Sequence, residues 1–178
     1  FWLPLLYLVI GPLRGFKSAR AYQKVWTPDG SPLVVITLDL LEKVRRALRV
    51  GVTSVVAEAA MRYVVPDIPG ALSNIDAEGT DELVVLPLYP QYTATTTESA
   101  FDAVHKYYQG KQSTPTIRLI RQYYDQPDWT SAIAGSIQDW WQQHGRADLL
   151  MFSFHGLPER YIEEGDPYLD QTLASVKN

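Results

Sequence analysis

Short apolar runs alternate along this chain with stretches in which apolar residues recur at helical spacing. A continuous apolar run bounded by turn residues is typical of a strand that is buried on both faces. Five such runs predict five strands: LVVIT at 33–37, TSVVAEAAMRY at 53–63, ELVVLPL at 82–88, TIRLIRQYY at 116–124 and DLLMFSF at 148–154.

Three helices are predicted between the runs, because apolar residues three or four positions apart form one stripe along a helix. The stripes are Leu41, Val44 and Leu48; Phe101, Val104 and Tyr108; and Trp129, Ile133, Ile137, Trp140 and Trp141. The predicted helix ends are marked by Thr95 and Glu98 at capping-box spacing, by Asp128 after Pro127, and by Gly110 and Gly145. Helices that join successive strands predict a Rossmann-like α/β fold, with a parallel, doubly wound sheet flanked by helices.

A domain border is predicted at Gln126 and Pro127, where the last predicted strand and helix begin a new unit. We expect residues 1–125 to form a first α/β domain and residues 126–178 to begin a second, similar one. The size of the chain, 178 residues with 46% hydrophobic content, is enough for a sizeable core.

The composition excludes some classes of function. The net charge of -4 argues against a nucleic-acid partner, which a basic stripe would normally serve. The chain has no cysteine, so it can form neither a disulfide nor a cysteine-ligated metal site from its own residues. A metal would have to be bound by His, Asp, Glu or solvent.

His155 is the strongest candidate for chemistry, because it directly follows the last apolar run and precedes Gly156. Open α/β folds bind their ligands at the carboxyl ends of strands. Imidazole titrates near neutrality and can accept a proton or bind a transition metal. The alternative is an ordinary histidine bonded by backbone groups. His105 and His144, on helices, are interpreted as structural.

Other candidates also lie where predicted strands end. Arg62 and Tyr63 can bind a carboxylate and an aromatic ring, although a surface salt bridge is the simpler interpretation. Tyr89 and Tyr92 flank Pro90, just before the threonines of a predicted helix start. A helix start of this kind can bind an anion, which makes a nucleotide site a rival interpretation. The sequence has no GxGxxG and no GxxxxGK[ST] motif.

The segments FSFHGLPERYIEEGDPY and VLPLYPQYTATTTESAFDAV together resemble ferrochelatase, the family that inserts ferrous iron into protoporphyrin IX in the last step of heme biosynthesis. Weaker agreement runs through GPLR at 11–14, AYQKVW at 21–26, GSPL at 30–33 and MRYVVP at 61–66. The resemblance implies a chelatase-like fold, with a first strand before Phe1 and a second half after Asn178. We therefore expect a partial chain, impaired in turnover.

The resemblance also implies roles for particular residues. His155 would be the catalytic base, the iron ligand or both, opposite a glutamate that is absent from this chain. The porphyrin-binding residues would be Arg62, Tyr63, Tyr89, Tyr92 and, more weakly, Arg14. The acidic loop after His155 offers Glu163, Glu164 and Asp166 as a relay for iron or protons, unless it is simply a solvated loop. Fe(II) would be a substrate, and no organic cofactor is implied.

The apolar stretch FWLPLLYLVIGPL at 1–13 is too short to cross a bilayer, which needs about 20 apolar residues. It predicts a packed helix, or a hydrophobic lip that touches porphyrin or a membrane surface. The resemblance to bacterial members favours a soluble, cytoplasmic protein with peripheral membrane contact left open.

Three alternatives remain at this point. A related cobalt chelatase differs only in the metal. A non-catalytic porphyrin-binding fragment fits a chain that supplies half of the metal site. A nucleotide-binding α/β module fits the threonine-rich helix start.

Overall fold

The structure is a computed structural model that describes residues 19–51 and 55–177. It divides into a first unit that ends at Ala60 and a second that begins at Met61. From Pro32 onwards its helices are α1 Pro32–Gly51, α2 Ile68–Ala77, α3 Ser99–Tyr108, α4 Pro127–His144, α5 Glu159–Glu163 and α6 Tyr168–Lys177. Its strands are β1 Glu82–Val85 and β2 Thr116–Leu119, and a π-helical turn, Ala94–Glu98, leads directly into α3.

In the first unit, the predicted strand at 33–37 is wrong, because those residues form the beginning of α1. Pro32 occupies the first helical position, where its fixed φ and missing N–H are tolerated. The partly buried positions of the helix are 34, 37, 41, 45 and 48, among others, which follow the helical period. The predicted stripe from Leu41 to Leu48 is therefore confirmed as helical, and the apolar run before it extends the same helix.

The predicted strand at 53–63 is also wrong for its described part, residues 55–63, which contain one isolated bridge and no regular strand. Residues 57 and 58 are instead held to α1 by hydrogen bonds from an arginine side chain. Arg45 donates through Nε to the Ala57 carbonyl at 2.9 Å and through its terminal nitrogens to Glu42 and Glu58 at 2.8 and 2.9 Å.

The second unit contains a parallel pair of strands, which confirms the predicted α/β class. β1 pairs with β2 in a register that runs from Glu82 opposite Thr116 to Val85 opposite Leu119. The connection between the strands includes α3, as a parallel crossover requires. Both strands are shorter than predicted. In β1 the ladder ends before Pro87, which has no N–H to donate.

The core of the second unit lies where α2 and α3 pack on β1. Its buried residues are Ile68, Leu72, Leu83, Val104 and Tyr108. The predicted stripe of α3 is therefore confirmed, because Phe101, Val104 and Tyr108 are all buried. 

A polar cluster closes this core at the end of α2. The Asp76 carboxylate accepts hydrogen bonds from Tyr108 at 2.8 Å, Tyr107 at 3.0 Å and Lys111 at 2.8 Å. Burial opposes ionisation of Asp76, but these bonds outweigh it and hold the pKa of that carboxyl below its ordinary value. Burial, together with the bond to Asp76, raises the pKa of Tyr108.

Helix α2 begins with a cap in which the Asp67 side chain lies close to Gly70. Asp67 accepts a hydrogen bond from the Gly70 N–H at 2.8 Å, the usual way to satisfy a free donor in the first turn. A Cβ at position 70 would stand 2.8 Å from the same Asp67 oxygen. A side chain at position 70 would therefore require the Asp67 carboxylate to shift.

The predicted helix ends have mixed outcomes. Gly110 and Gly145 follow helix ends with φ of 81° and 84°, in the region that favours glycine. Asp128 was predicted to cap α4, which is wrong, because Pro127 starts the helix and places Asp128 inside its first turn.

The predicted helix with a tryptophan-rich stripe is confirmed as α4, but none of its residues is buried. The predicted strand at 148–154 is wrong: these residues are exposed and lack regular structure. A strand requires a neighbour that supplies hydrogen bonds, and no residue of the described ranges bonds to this segment's backbone. The predicted domain border coincides with the start of α4 and stays a prediction. No helix in the described ranges is long and apolar enough to cross a membrane.

Candidate functional site

His155 is an exposed residue between α4 and α5. Three residues separate it from α5, and Pro158, the last of them, is at the N-cap position of that helix. The imidazole is therefore accessible to a ligand from solvent and lies close in sequence to a folded element. His155 does not lie at the end of a buried strand as predicted, since residues 149–156 are all exposed.

Helix α5 ends in a C-terminal motif that fixes the course of the chain after it. Gly165 has a φ of 94°, and its N–H donates to the Ile162 carbonyl at 3.0 Å. The Asp166 N–H donates to the Tyr161 carbonyl at 2.8 Å. These two bonds are the pattern of a Schellman motif, in which glycine provides the left-handed residue. The motif places Asp166 two residues before the start of α6.

The Asp166 carboxylate connects two helix starts. Its Oδ1 accepts from the Tyr168 N–H at 3.0 Å, at the start of α6. Its Oδ2 accepts from the Thr93 hydroxyl at 2.8 Å and from the Ala94 N–H at 2.9 Å, at the start of the π-helical turn. A negative charge is stabilised at a helix N-terminus by the free N–H groups and the helix dipole. Asp166 therefore joins the loop after His155 to the loop after β1.

The capping predicted for Thr95 and Glu98 is wrong, because the cap lies two residues earlier in the chain. Thr93 is the cap, and its hydroxyl oxygen lies 3.4 Å from the donating N–H of Thr95. The anion position at this helix start is occupied by the carboxylate of Asp166. This removes the geometric basis of the nucleotide site.

Side-chain amides reinforce the contact between α6 and the loop after β1. The Tyr92 N–H donates to Gln171 Oε1 at 2.7 Å, and Gln171 Nε2 donates to Gln122 Oε1 at 2.6 Å. Gln91 Nε2 donates to the Ser175 hydroxyl at 2.8 Å. Sequence reasoning missed these residues, since the partners are 49 to 84 positions apart and no local spacing relates them.

Tyr92, a predicted porphyrin contact, is buried and has its polar group satisfied. Its hydroxyl donates to Glu98 Oε2 at 2.9 Å, and the Arg121 guanidinium lies 3.7 Å from its ring centroid. Burial and the bond to Glu98 raise the pKa of Tyr92 and keep the phenol neutral. Tyr89 is 46% exposed and presents more of its ring to solvent.

Arg62 and Tyr63, the other predicted contacts, lie together at the surface. Arg62 Nε donates to both the carbonyl and the hydroxyl of Ser99 at 3.1 Å, at the first residue of α3. Its guanidinium carbon lies 4.9 Å from the Tyr63 ring centroid, and Tyr63 is 81% exposed. Arg62 is therefore held in place by Ser99, while the Tyr63 ring is accessible to solvent.

The remaining predicted residues are not assembled into a metal site. Glu163 and Glu164 are exposed at the end of α5, and Asp166 is engaged as described above. No group of three His, Cys, Asp or Glu side chains suited to a metal ion is found within residues 19–51 and 55–177. Arg14 lies outside the described residues. Of the predicted set, the structure connects Tyr92 with Asp166, through adjacent Thr93.

The fold and the site together define an α/β protein with an exposed histidine on an anchored loop. The family profile described as ferrochelatase matches residues 1–178, and the chain belongs to that family. It is 45% identical over 176 residues to a ferrochelatase of Stenotrophomonas maltophilia (strain R551-3), covering 99% of this chain and 53% of that protein.

Two further relatives agree. A ferrochelatase of Xanthomonas axonopodis pv. citri (strain 306) is 48% identical over 183 residues, covering 99% of this chain and 54% of that protein. A ferrochelatase of Aeromonas hydrophila subsp. hydrophila is 42% identical over 167 residues, covering 94% and 52% respectively. The family predicted from two motifs is confirmed. The chain spans about half the length of these curated relatives.

Proposed function

We propose that this chain supplies part of a ferrochelatase active site, in which Fe(II) is inserted into protoporphyrin IX to give protoheme. The observation that carries the proposal is the exposed imidazole of His155 beside an anchored loop, in a chain of this family. The names of the relatives support the same reaction class.

Insertion requires the removal of two protons from pyrrole nitrogens and the release of water from the iron. A neutral imidazole near pH 7 can accept a proton, and its nitrogen is also a suitable ligand for Fe(II). His155 can perform either task at the surface of the chain. Iron enters as a substrate, and the proposal involves no organic cofactor.

Recognition of the porphyrin is assigned to the surface pair of Arg62 and Tyr63. Because only Nε of Arg62 is bonded to Ser99 among the described residues, the terminal nitrogens can bind a propionate. The exposed rings of Tyr63 and Tyr89 can pack against a flat macrocycle. Arg14 stays a proposed second propionate contact. Tyr92, which is buried, would support the porphyrin-binding surface from inside the fold.

The test is a titration of mesoporphyrin into the full chain, followed by anaerobic addition of Fe(II), with absorbance reporting both binding and uptake. We expect His155→Ala to bind porphyrin like the wild type and to take up iron on the order of 100-fold more slowly, the usual loss when an acid–base group is removed. The control is His105→Ala, which removes an exposed imidazole from α3. Equal and measurable uptake rates in wild type and His155→Ala would contradict the proposal.

The same assay separates the alternatives. A preference for Co(II) over Fe(II) would favour a cobalt chelatase, and porphyrin binding without uptake of either metal would favour a non-catalytic binding role. Thermal stabilisation by ATP or NAD but not by porphyrin would favour a nucleotide-binding module. The cytoplasmic location implied by the resemblance is tested by cell fractionation.

A further inference from the structure

The segment between His155 and α6 is held at its far end by a single carboxylate. We define the His155 loop as residues 156–165, which include α5 and end at Gly165. Directly after it, Asp166 accepts three hydrogen bonds: one from Tyr168, one from Thr93 and one from Ala94. Both oxygens are therefore already engaged by donors of the chain itself.

We infer that Asp166 is a positioning residue, which fixes the His155 loop to the loop after β1 and so limits the positions that the imidazole can take. This rests on the proposed function of His155. The inference replaces the predicted role of Asp166 as a relay for iron or protons. The Asp166 carboxylate is oriented by bonds to two helix starts, each of which stabilises its negative charge where it is.

The path from Asp166 back to His155 is short and largely fixed. The Schellman motif at Gly165 determines how Asp166 leaves α5. Helix α5 then leads back to Pro158, whose ring restricts the backbone. Only Gly156 and Leu157 remain between this fixed part and the histidine. Release of Asp166 would therefore free the His155 loop at the end opposite the histidine.

Thr93 distinguishes an anchoring role of Asp166 from a relay role, because its hydroxyl bonds Asp166 but it has no carboxylate of its own. Thr93→Val removes the hydroxyl donor and leaves the Asp166 carboxylate in place. A relay would be unaffected by this change, whereas an anchor would be weakened. Asp166→Glu is the converse variant, since it keeps the charge but makes the side chain too long for both helix starts.

The experiment measures amide hydrogen exchange of the His155 loop in the full chain without porphyrin, then porphyrin affinity and the rate of Fe(II) uptake. We expect Thr93→Val and Asp166→Glu to increase exchange at residues 159–168 at least tenfold and to slow uptake, with porphyrin affinity changed less than twofold. Thr93→Ser, which keeps the hydroxyl, and Thr130→Val, the same substitution in α4, should behave like the wild type.

Unchanged exchange in α2 shows that a variant is folded; should Asp166→Glu fail this control, Thr93→Val decides alone. Loss of uptake in Asp166→Glu with wild-type behaviour of Thr93→Val would overturn the inference in favour of a chemical role. Faster exchange with normal uptake would also overturn it, since the anchor would then not serve His155. Failure of the proposed function has a different signature, because His155→Ala would then take up iron normally.

Discussion

Two regions of the second unit contain similar fractions of apolar residues but differ in how many of these residues they bury. In the core region, residues 68–119, helices α2 and α3 bury their apolar residues against β1. In the outer region, residues 127–158, no residue is buried, although α4 has an apolar stripe and residues 149–154 form an apolar run. Sequence pattern alone therefore does not determine burial. An apolar helix or run is buried only where another element of the described residues packs against it.

The largest expected difference between the regions concerns a leucine in each. Leu72 in α2 is 4% exposed and Leu149 is 81% exposed. We expect Leu72→Ala to lower the free energy of unfolding by about 2–5 kcal/mol, the usual loss of transfer energy plus cavity. Leu149→Ala should change it by less than about 0.5 kcal/mol. Urea unfolding of both variants measures this, and a comparable loss at Leu149 would show that the outer region is packed in solution.

A smaller effect is expected from the polar cluster that closes the core. Because the pKa of Asp76 is lowered in the folded state, its contribution is present above the ordinary value of 3.8 and is lost as the pH falls below it. Asp76→Asn should cost about 1 kcal/mol at neutral pH, a value reduced for a side chain that is 30% exposed. The gap to the wild type should narrow as the pH falls below 3.8.

The matched control for this pH experiment is Asp139→Asn, an exposed carboxylate in α4 of the outer region. Thermal unfolding at a series of pH values should leave the control parallel to the wild type. If Asp76→Asn kept a constant gap down to acid pH, the cluster would not be the source of the acid dependence.

The smallest effects are expected from one glycine in each region. Gly135 lies inside α4, and an added Cβ would meet nothing within 4 Å, so Gly135→Ala should stabilise the helix by about 0.5–1 kcal/mol. Gly110 follows α3 with a φ of 81°, so Gly110→Ala should destabilise by roughly 1 kcal/mol. Calorimetry of the two variants should therefore give shifts of opposite sign. A destabilising Gly135→Ala would indicate a close neighbour of α4.

The sequence was sufficient to predict β1, β2 and α3 of the core region, because each of them is indicated by local information, whereas α2 was not among the predicted helices. The stripe of α3, the runs at β1 and β2, and the crossover between them all follow from spacing. The error at 33–37 has a local cause too: the run continues the helical period of α1, and its β-branched residues favoured a strand when considered alone. The predicted strand at 148–154 failed for a non-local reason, since a ladder needs a partner.

The candidate site was predictable only in part for the same reason. His155 and Asp166 are prominent because of their neighbours in the sequence, but the role of Asp166 depends on Thr93, which is 73 positions away. The bond from Tyr92 to Gln171 likewise joins distant residues. Residue type suggested a relay for Asp166, which stays a prediction, and sequence spacing did not indicate that its carboxylate caps two helix starts.

The start of α2 has a consequence for how this family changes over time. A Cβ at position 70 would stand 2.8 Å from the capping oxygen, so the Asp67 carboxylate would have to shift to accept a side chain there. A lineage that loses the carboxylate at 67 gains nothing from keeping glycine at 70, and replacement there would recover helix propensity. The two positions are therefore expected to be substituted in pairs among descendants, with position 67 changing first.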